Sequence, residues 1–205
     1  VQNPSKIICL GKNYAEHAQE GGFDNPESPL LFAKTPNTLN GPYDPVLLPQ
    51  SCGQVDWEVE LAVIIGQAGK RIPQNEAIQY IAGYSVMNDV SGRETQKAEK
   101  QWLRAKGFDT FAPMGPWIMT KEEIPDPHTL DISCRVNGEV RQRGNTSEMV
   151  FSPAQLIAYI SAIMTLEPGD AIMTGTPAGV SPIVAGDKVE VEVEGVGLLE
   201  NPVTW

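Results

Sequence analysis

Val55-Asp56-Trp57-Glu58-Val59-Glu60-Leu61-Ala62-Val63-Ile64-Ile65-Gly66 is the stretch whose reading decides the fold. Side chains alternate faces along a strand, so Glu58 and Glu60 share a face while Trp57, Val59 and Leu61 share the other. Past Glu60 the acidic face turns apolar at Ala62 and Ile64. The segment therefore reads as a strand buried on both sides, with two carboxylates at its mouth. Unpaired negative charge is costly there. A divalent cation would remove that cost, and Asp89 is the candidate third ligand.

Val189-Glu190-Val191-Glu192-Val193-Glu194 serves as an internal control. It alternates as cleanly, but ends at Gly195 with no apolar continuation on its acidic face. That pattern is an ordinary half-solvated strand. Alternating Glu alone is thus not a site, and the case for Glu58 and Glu60 rests on their neighbours.

Around these strands lies a chain of 205 residues, 41% apolar and 20% charged, sized for one domain with a sizeable core. Its 17 Pro and 19 Gly predict many turns. Ile7–Leu10 and Leu30–Ala33 read as strands, flanking a short helix over Tyr14–Glu20 with Asn13 as N-cap and Gly21-Gly22 as its stop. Thr35–Gln50, with four prolines, reads as irregular. Further on, Gln74–Ile81 fits a helix, Gly83–Asp89 a strand, and Arg93–Arg104 a polar helix. Asn137-Gly138 marks the turn of a hairpin over Leu130–Arg141. Pro153–Met164 is an amphipathic helix, and Ala171–Thr174 and Lys188–Glu194 are later strands. Strands interrupted by a few short helices predict a mixed α/β, predominantly β and largely antiparallel architecture with peripheral helices.

The net charge of −11 argues against nucleic acid or an anionic membrane as partner. There is no apolar run of membrane-spanning length and no basic-then-apolar N-terminal order, so a cytoplasmic protein is expected. Cys9, Cys52 and Cys134 are widely spaced and read as reduced structural thiols. Dinucleotide, phosphate-loop, H-E-x-x-H and G-x-S-x-G signatures are all absent. Of two histidines, His128 lies in a proline-locked turn, which leaves His17 as the candidate imidazole base. Glu20, three residues on, shares its helix face and can orient it. Glu58, Glu60 and Asp89 offer only oxygen, which suits Mg²⁺ or Mn²⁺, with Ca²⁺ also compatible. Three carboxylates around one dication leave about one negative charge, so an anionic substrate needs further cations, for which Arg93 and Lys106 are candidates. The Thr174-Gly175-Thr176-Pro177 loop can present N–H groups and the Thr176 hydroxyl to a carboxylate.

Five blocks then occur in a shared order: Gly11-Lys12-Asn13-Tyr14-Ala15-Glu16-His17, Glu58-Val59-Glu60-Leu61, Asn88-Asp89-Val90-Ser91 with Arg93 and Gln96, Arg104-Ala105-Lys106-Gly107-Phe108-Asp109, and Thr174-Gly175-Thr176-Pro177. In this the chain resembles the fumarylacetoacetate hydrolase family from about Ile7 to Val203. It is most similar to the small single-domain branch of acylpyruvate hydrolases, oxaloacetate decarboxylases and homoprotocatechuate-pathway isomerases. The resemblance implies a β-roll spanning residues 1–205 as one catalytic domain, usually a homodimer, with Mg²⁺ or Mn²⁺ on Glu58, Glu60 and Asp89. It implies catalytic roles for His17, Glu20 and Lys106, the first two on a helix that closes as a lid. Lys34, Arg93, Gln96 and Thr176 are the implied substrate contacts, and a small anionic 2-oxo acid is the implied substrate. Metal-dependent cleavage of a 2,4-dioxo acid, or decarboxylation of oxaloacetate, is the leading expectation. Isomerisation of a 2-hydroxydienoic diacid, or metal-stabilised binding without catalysis, are the alternatives.

Overall fold

The computed structural model describes residues 4–20, 22, 24 and 26–205. Its strands, in chain order, are β1 (Ile7–Gly11), β2 (Leu30–Lys34), β3 (Leu39–Asn40), β4 (Val46–Leu47), β5 (Val55–Asp56), β6 (Val59–Ile65), β7 (Ile81–Asn88), β8 (Ser91–Gly92), β9 (Ala112–Thr120), β10 (Asp131–Val136), β11 (Glu139–Asn145), β12 (Ala171–Met173), β13 (Pro182–Ile183), β14 (Lys188–Val193) and β15 (Gly197–Thr204). The helices are α1 (Ala15–Glu20), α2 (Arg93–Ala98), α3 (Leu103–Lys106) and α4 (Pro153–Ile163). The described residues build a seven-stranded sheet in the order β2-β1-β12-β6-β7-β9-β3. Beside it stand a five-stranded sheet, β11-β10-β14-β15-β4, and a three-stranded one, β13-β5-β8. Pairing is mostly antiparallel, with β1 and β12 parallel in the middle of the large sheet.

The two faces of β6 enter different cores. Trp57, Val59, Leu61 and Val63 join the larger apolar cluster with Leu156, Ile157 and Ile160 of α4 and the inward residues of β10 and β14. Ala62 and Ile64 join a second cluster with Cys9, Met87, Met114 and Met173 on the opposite face. A strand apolar on both faces is what this double burial requires. One correction concerns its start. The 55–66 stretch is two strands, not one, because Trp57 and Glu58 form a break where the chain leaves the small sheet for the large one. The backbone groups freed there are satisfied next door: Glu58 N–H donates to Asn88 Oδ1 (3.0 Å), and Asp89 N–H donates to the Glu58 carbonyl (2.8 Å). That exchange brings Glu58 beside Asp89.

Other elements follow from local chemistry. Asn137 and Gly138 both have positive φ (53° and 80°), the geometry of the tight hairpin turn joining β10 to β11. The Ser152 hydroxyl accepts from Gln155 N–H, and the Gln155 side chain accepts from Ser152 N–H, boxing the start of α4. The 74–80 segment is a 3₁₀ helix. The polar Arg93–Arg104 segment breaks into α2 and α3, since Glu99 N–H closes on Thr95 O and no continuous apolar stripe holds a longer helix. Asn13 does not cap α1. Its side chain donates to Phe151 O and Thr174 O and accepts from Phe151 N–H, tying the 11–14 segment to the 174 loop. Gly21, expected to help stop α1, lies outside the described residues. Strand β9 escaped the sequence reading because Pro113, Gly115 and Pro116 interrupt it. Its outer neighbour is only the two-residue β3, so it stands near the sheet edge, where proline is tolerated.

Candidate active site

Glu58, Glu60 and Asp89 are 5%, 1% and 0% exposed, and they offer carboxylate oxygens within 4.8 Å of one another. Their counter-charges are unequal. Glu58 meets Lys106 Nζ at 2.8 Å and the Arg93 guanidinium. Asp89 meets Lys106 at 2.6 Å and Lys34 at 2.8 Å. Glu60 has no cationic partner among the described residues; Gly175 N–H donates to its Oε2 (2.7 Å). Burial, with Asp89 and Glu58 adding like charge, therefore holds the Glu60 carboxyl well above the usual carboxylate range. Burial acts upward on Glu58 too, but Lys106 and Arg93 outweigh it and hold that carboxyl well below the usual range. A buried, all-oxygen cluster with one carboxylate lacking a counter-ion fits a hard divalent cation.

The surrounding residues fix these carboxylates. Arg93 Nε donates to Asp56 Oδ2 (2.7 Å), Nη1 donates to Gln96 Oε1 (2.7 Å), and Nη2 donates to Glu58. Arg93 and Gln96 line the cavity but spend these groups on one another, on Asp56 and on Glu58, as a brace for the cluster. Lys34 lies behind it: Nζ donates to Val90 O (3.0 Å), Lys106 O (2.7 Å) and Phe111 O (2.8 Å), and the residue does not line the cavity. Burial lowers its pKa, and Asp89 opposes that. Gly175 adopts φ 92°, and a Cβ there would lie 2.9 Å from Asn13 Cβ, so the loop needs glycine to reach Glu60.

The cluster opens into a cavity of about 780 Å³ lined by His17, Glu20, Arg93, Gln96, Lys106, Thr176 and Trp102, among others. His17 and Glu20 share a face of α1, but their closest atoms, Nδ1 and Oε2, are 3.6 Å apart, too far for a hydrogen bond. His17 Nδ1 has no hydrogen-bond partner among the described residues, and Glu20 accepts from Gly179 N–H (3.1 Å). The cavity thus gathers His17, Glu20, Lys106, Thr176, Glu58 and Glu60, and leaves Lys34 and Asp89 behind its wall. Asp56, Asn88 and Gln142, which anchor Arg93, Glu58 and Thr176 respectively, were not singled out from sequence. Asp56 was visible beside Glu58, but its partner is remote; a buried Gln142 leaves no spacing signal at all.

A buried oxygen cluster that could hold a metal ion thus stands on a curled, mostly antiparallel sheet, beside an imidazole and a lysine at one cavity. The fumarylacetoacetate (FAA) hydrolase C-terminal family matches residues 6–204, and the chain belongs to the fumarylacetoacetate hydrolase family. It is 48% identical over 211 residues to the mitochondrial oxaloacetate tautomerase Fahd2a of Rattus norvegicus, covering 99% of this chain and 67% of that protein. A crystal structure of 5-carboxymethyl-2-hydroxymuconate delta-isomerase from Mycobacterium smegmatis superposes with TM-score 0.91 at 48% identity, covering 98% of this chain and 79% of that one. Fumarylpyruvate hydrolase from Pseudomonas aeruginosa, in complex with Mn²⁺ and pyruvate, superposes with TM-score 0.91 at 32% identity, covering 97% and 89%. The chain is an enzyme of a family that includes hydrolases, tautomerases and isomerases. Among the described residues, no helix is long and apolar enough to cross a membrane.

Proposed function

We propose that this chain binds a short 2-oxo diacid of the oxaloacetate type and moves a proton between its keto and enol forms. Cleavage of the C3–C4 bond of a longer 2,4-dioxo acid is the second reading. The observation that carries the proposal is the sharing of one cavity by His17, Lys106, Glu58 and Glu60, with Asp89 within 4.8 Å of both carboxylates. Mg²⁺ or Mn²⁺ held by those three carboxylates would supply Lewis-acid stabilisation of negative charge developing on the substrate keto oxygen. His17 takes a proton from C3, the C–H electrons become a C2–C3 double bond while the C2=O π pair moves onto oxygen, and that oxygen takes a proton from water as the imidazolium returns its own to solvent. Lys106 offsets the charge of the bound anion, and the Thr176 hydroxyl donates to its carboxylate. Arg93, braced by Asp56, keeps Glu58 in place.

In the second reading His17 instead deprotonates a water that attacks the C4 carbonyl, and the C3–C4 electrons leave with the pyruvate fragment. The likeness to a fumarylpyruvate hydrolase favours keeping this reading open. The test uses Mn²⁺-loaded protein with oxaloacetate and with acetylpyruvate, following enol absorbance and pyruvate release. Accelerated loss of the oxaloacetate enol without pyruvate is the expected result. Pyruvate from acetylpyruvate would move the assignment to the hydrolase reading, and no change in either substrate would overturn both. A homodimer in the cytoplasm, as the resemblance suggests, is the setting we infer; a monomeric mass by light scattering would contradict it.

A further inference from the structure

Gln142 lies on β11, in the five-stranded sheet, yet it reaches the 174–177 loop that closes on Glu60. It is 2% exposed, and its Nε2 donates to Thr176 Oγ1 (2.9 Å) and to the Pro177 carbonyl (2.6 Å). A carbonyl oxygen only accepts, so the amide cannot be turned over: that would set Gln142 Oε1 against Pro177 O, acceptor against acceptor. With two hydrogens on Nε2 and two acceptors, each is used once. Thr176 Oγ1 is therefore an acceptor towards Gln142, and the hydroxyl's own hydrogen must go elsewhere. It has no acceptor among the described residues, while Thr176, 3% exposed, turns its small open portion into the cavity.

We infer that Gln142 is a positioning residue that fixes the Thr176 hydroxyl as a donor aimed at the substrate carboxylate. The opposite polarity, with Thr176 donating to Gln142, would present lone pairs to the cavity and repel an anion. A strand of the second sheet thereby sets the sign of a contact in the site. This inference rests on the anionic substrate of the proposed function.

The probe is oxalate, titrated by calorimetry into Mn²⁺-loaded protein, with Mn²⁺ affinity measured separately as the control. Gln142→Met keeps the volume but donates nothing. Both it and Thr176→Val are expected to weaken oxalate roughly ten- to a hundredfold, the usual worth of a hydrogen bond to a charged group, with Mn²⁺ affinity unchanged. The double variant should lose no more than Thr176→Val alone, since the two act as one unit. Wild-type affinity in Gln142→Met, or losses that add in full, would overturn the inference while leaving the proposed function standing. Wild-type protein that takes Mn²⁺ but no oxalate would overturn both. Should Gln142→Met fail to fold, Thr176→Val against Thr176→Ser decides: valine must lose oxalate and serine must keep it, and unchanged affinity in the valine variant sinks the inference.

Discussion

Lys34 and Lys106 hold opposite oxygens of the Asp89 carboxylate, at 2.8 Å on Oδ1 and 2.6 Å on Oδ2. Their other contacts differ in kind. Lys34 is anchored by three backbone carbonyls, one of them belonging to Lys106 itself, and so is a fixed charge. Among the described residues, Lys106 Nζ has only carboxylates, Asp89 and Glu58, and the Phe32 ring 5.0 Å away. Its ammonium bridges two of the three carboxylates of the cluster, and among the described residues no backbone carbonyl holds it there.

Lys106→Met should therefore bind Mn²⁺ more tightly, by roughly tenfold or more, since a like charge within a few ångströms of the metal seat is removed. Turnover should fall at the same time, because the substrate loses its cation. Calorimetry and steady-state rates check the two halves. Weaker Mn²⁺ binding in the variant would mean that the ammonium assembles the carboxylates instead of competing for them.

Glu60 carries the pH dependence. Its carboxyl is raised in the folded protein by burial and by Asp89 and Glu58, so the metal-free fold binds a proton there that the unfolded chain has already released. The sign follows: the metal-free protein loses stability as pH rises from the ordinary carboxylate range through the raised value. Because a metal must displace that proton, Mn²⁺ affinity should climb with pH over the same window, with proton uptake by the buffer on binding. Glu60→Gln keeps an acceptor for Gly175 N–H and removes the charge. It should abolish the slope, abolish turnover, and leave the metal-free melting temperature equal or higher. A variant that still turned over after chelation would refute the metal assignment.

His17→Ala should lower turnover by roughly 10² to 10⁴, the usual worth of a general base, with Mn²⁺ binding intact. Loss of metal in this variant would contradict the division of roles between α1 and the acidic cluster.

The gap of 3.6 Å between His17 and Glu20 should close with ligand bound. Amide exchange over residues 14–20 should slow when oxalate joins Mn²⁺. Equal protection with and without oxalate would rule out a closing lid.

Much of this was legible because periodicity reports burial. The two-sided apolar run after Glu60 located β6 and both cores, and Asn137-Gly138 located a hairpin. What periodicity could not report was the break at Trp57 and Glu58, since a strand that changes sheets keeps its alternation. Nor could it distinguish Lys34, enclosed by carbonyls, from Lys106, facing the cavity, because those partners are remote in sequence. Strand β9 was hidden by prolines that only its neighbours' positions make acceptable. Arg93 read as a candidate substrate cation, and its engagement by Asp56 was hidden because the two lie 37 residues apart along the chain.

The acidic cluster is set by strand junctions deep in the protein, whereas the imidazole rides on a helix of six residues at the cavity's rim. Such a division makes the chemistry modular. Substitutions at the rim would then alter what the imidazole does to a bound ligand while leaving the acidic cluster undisturbed.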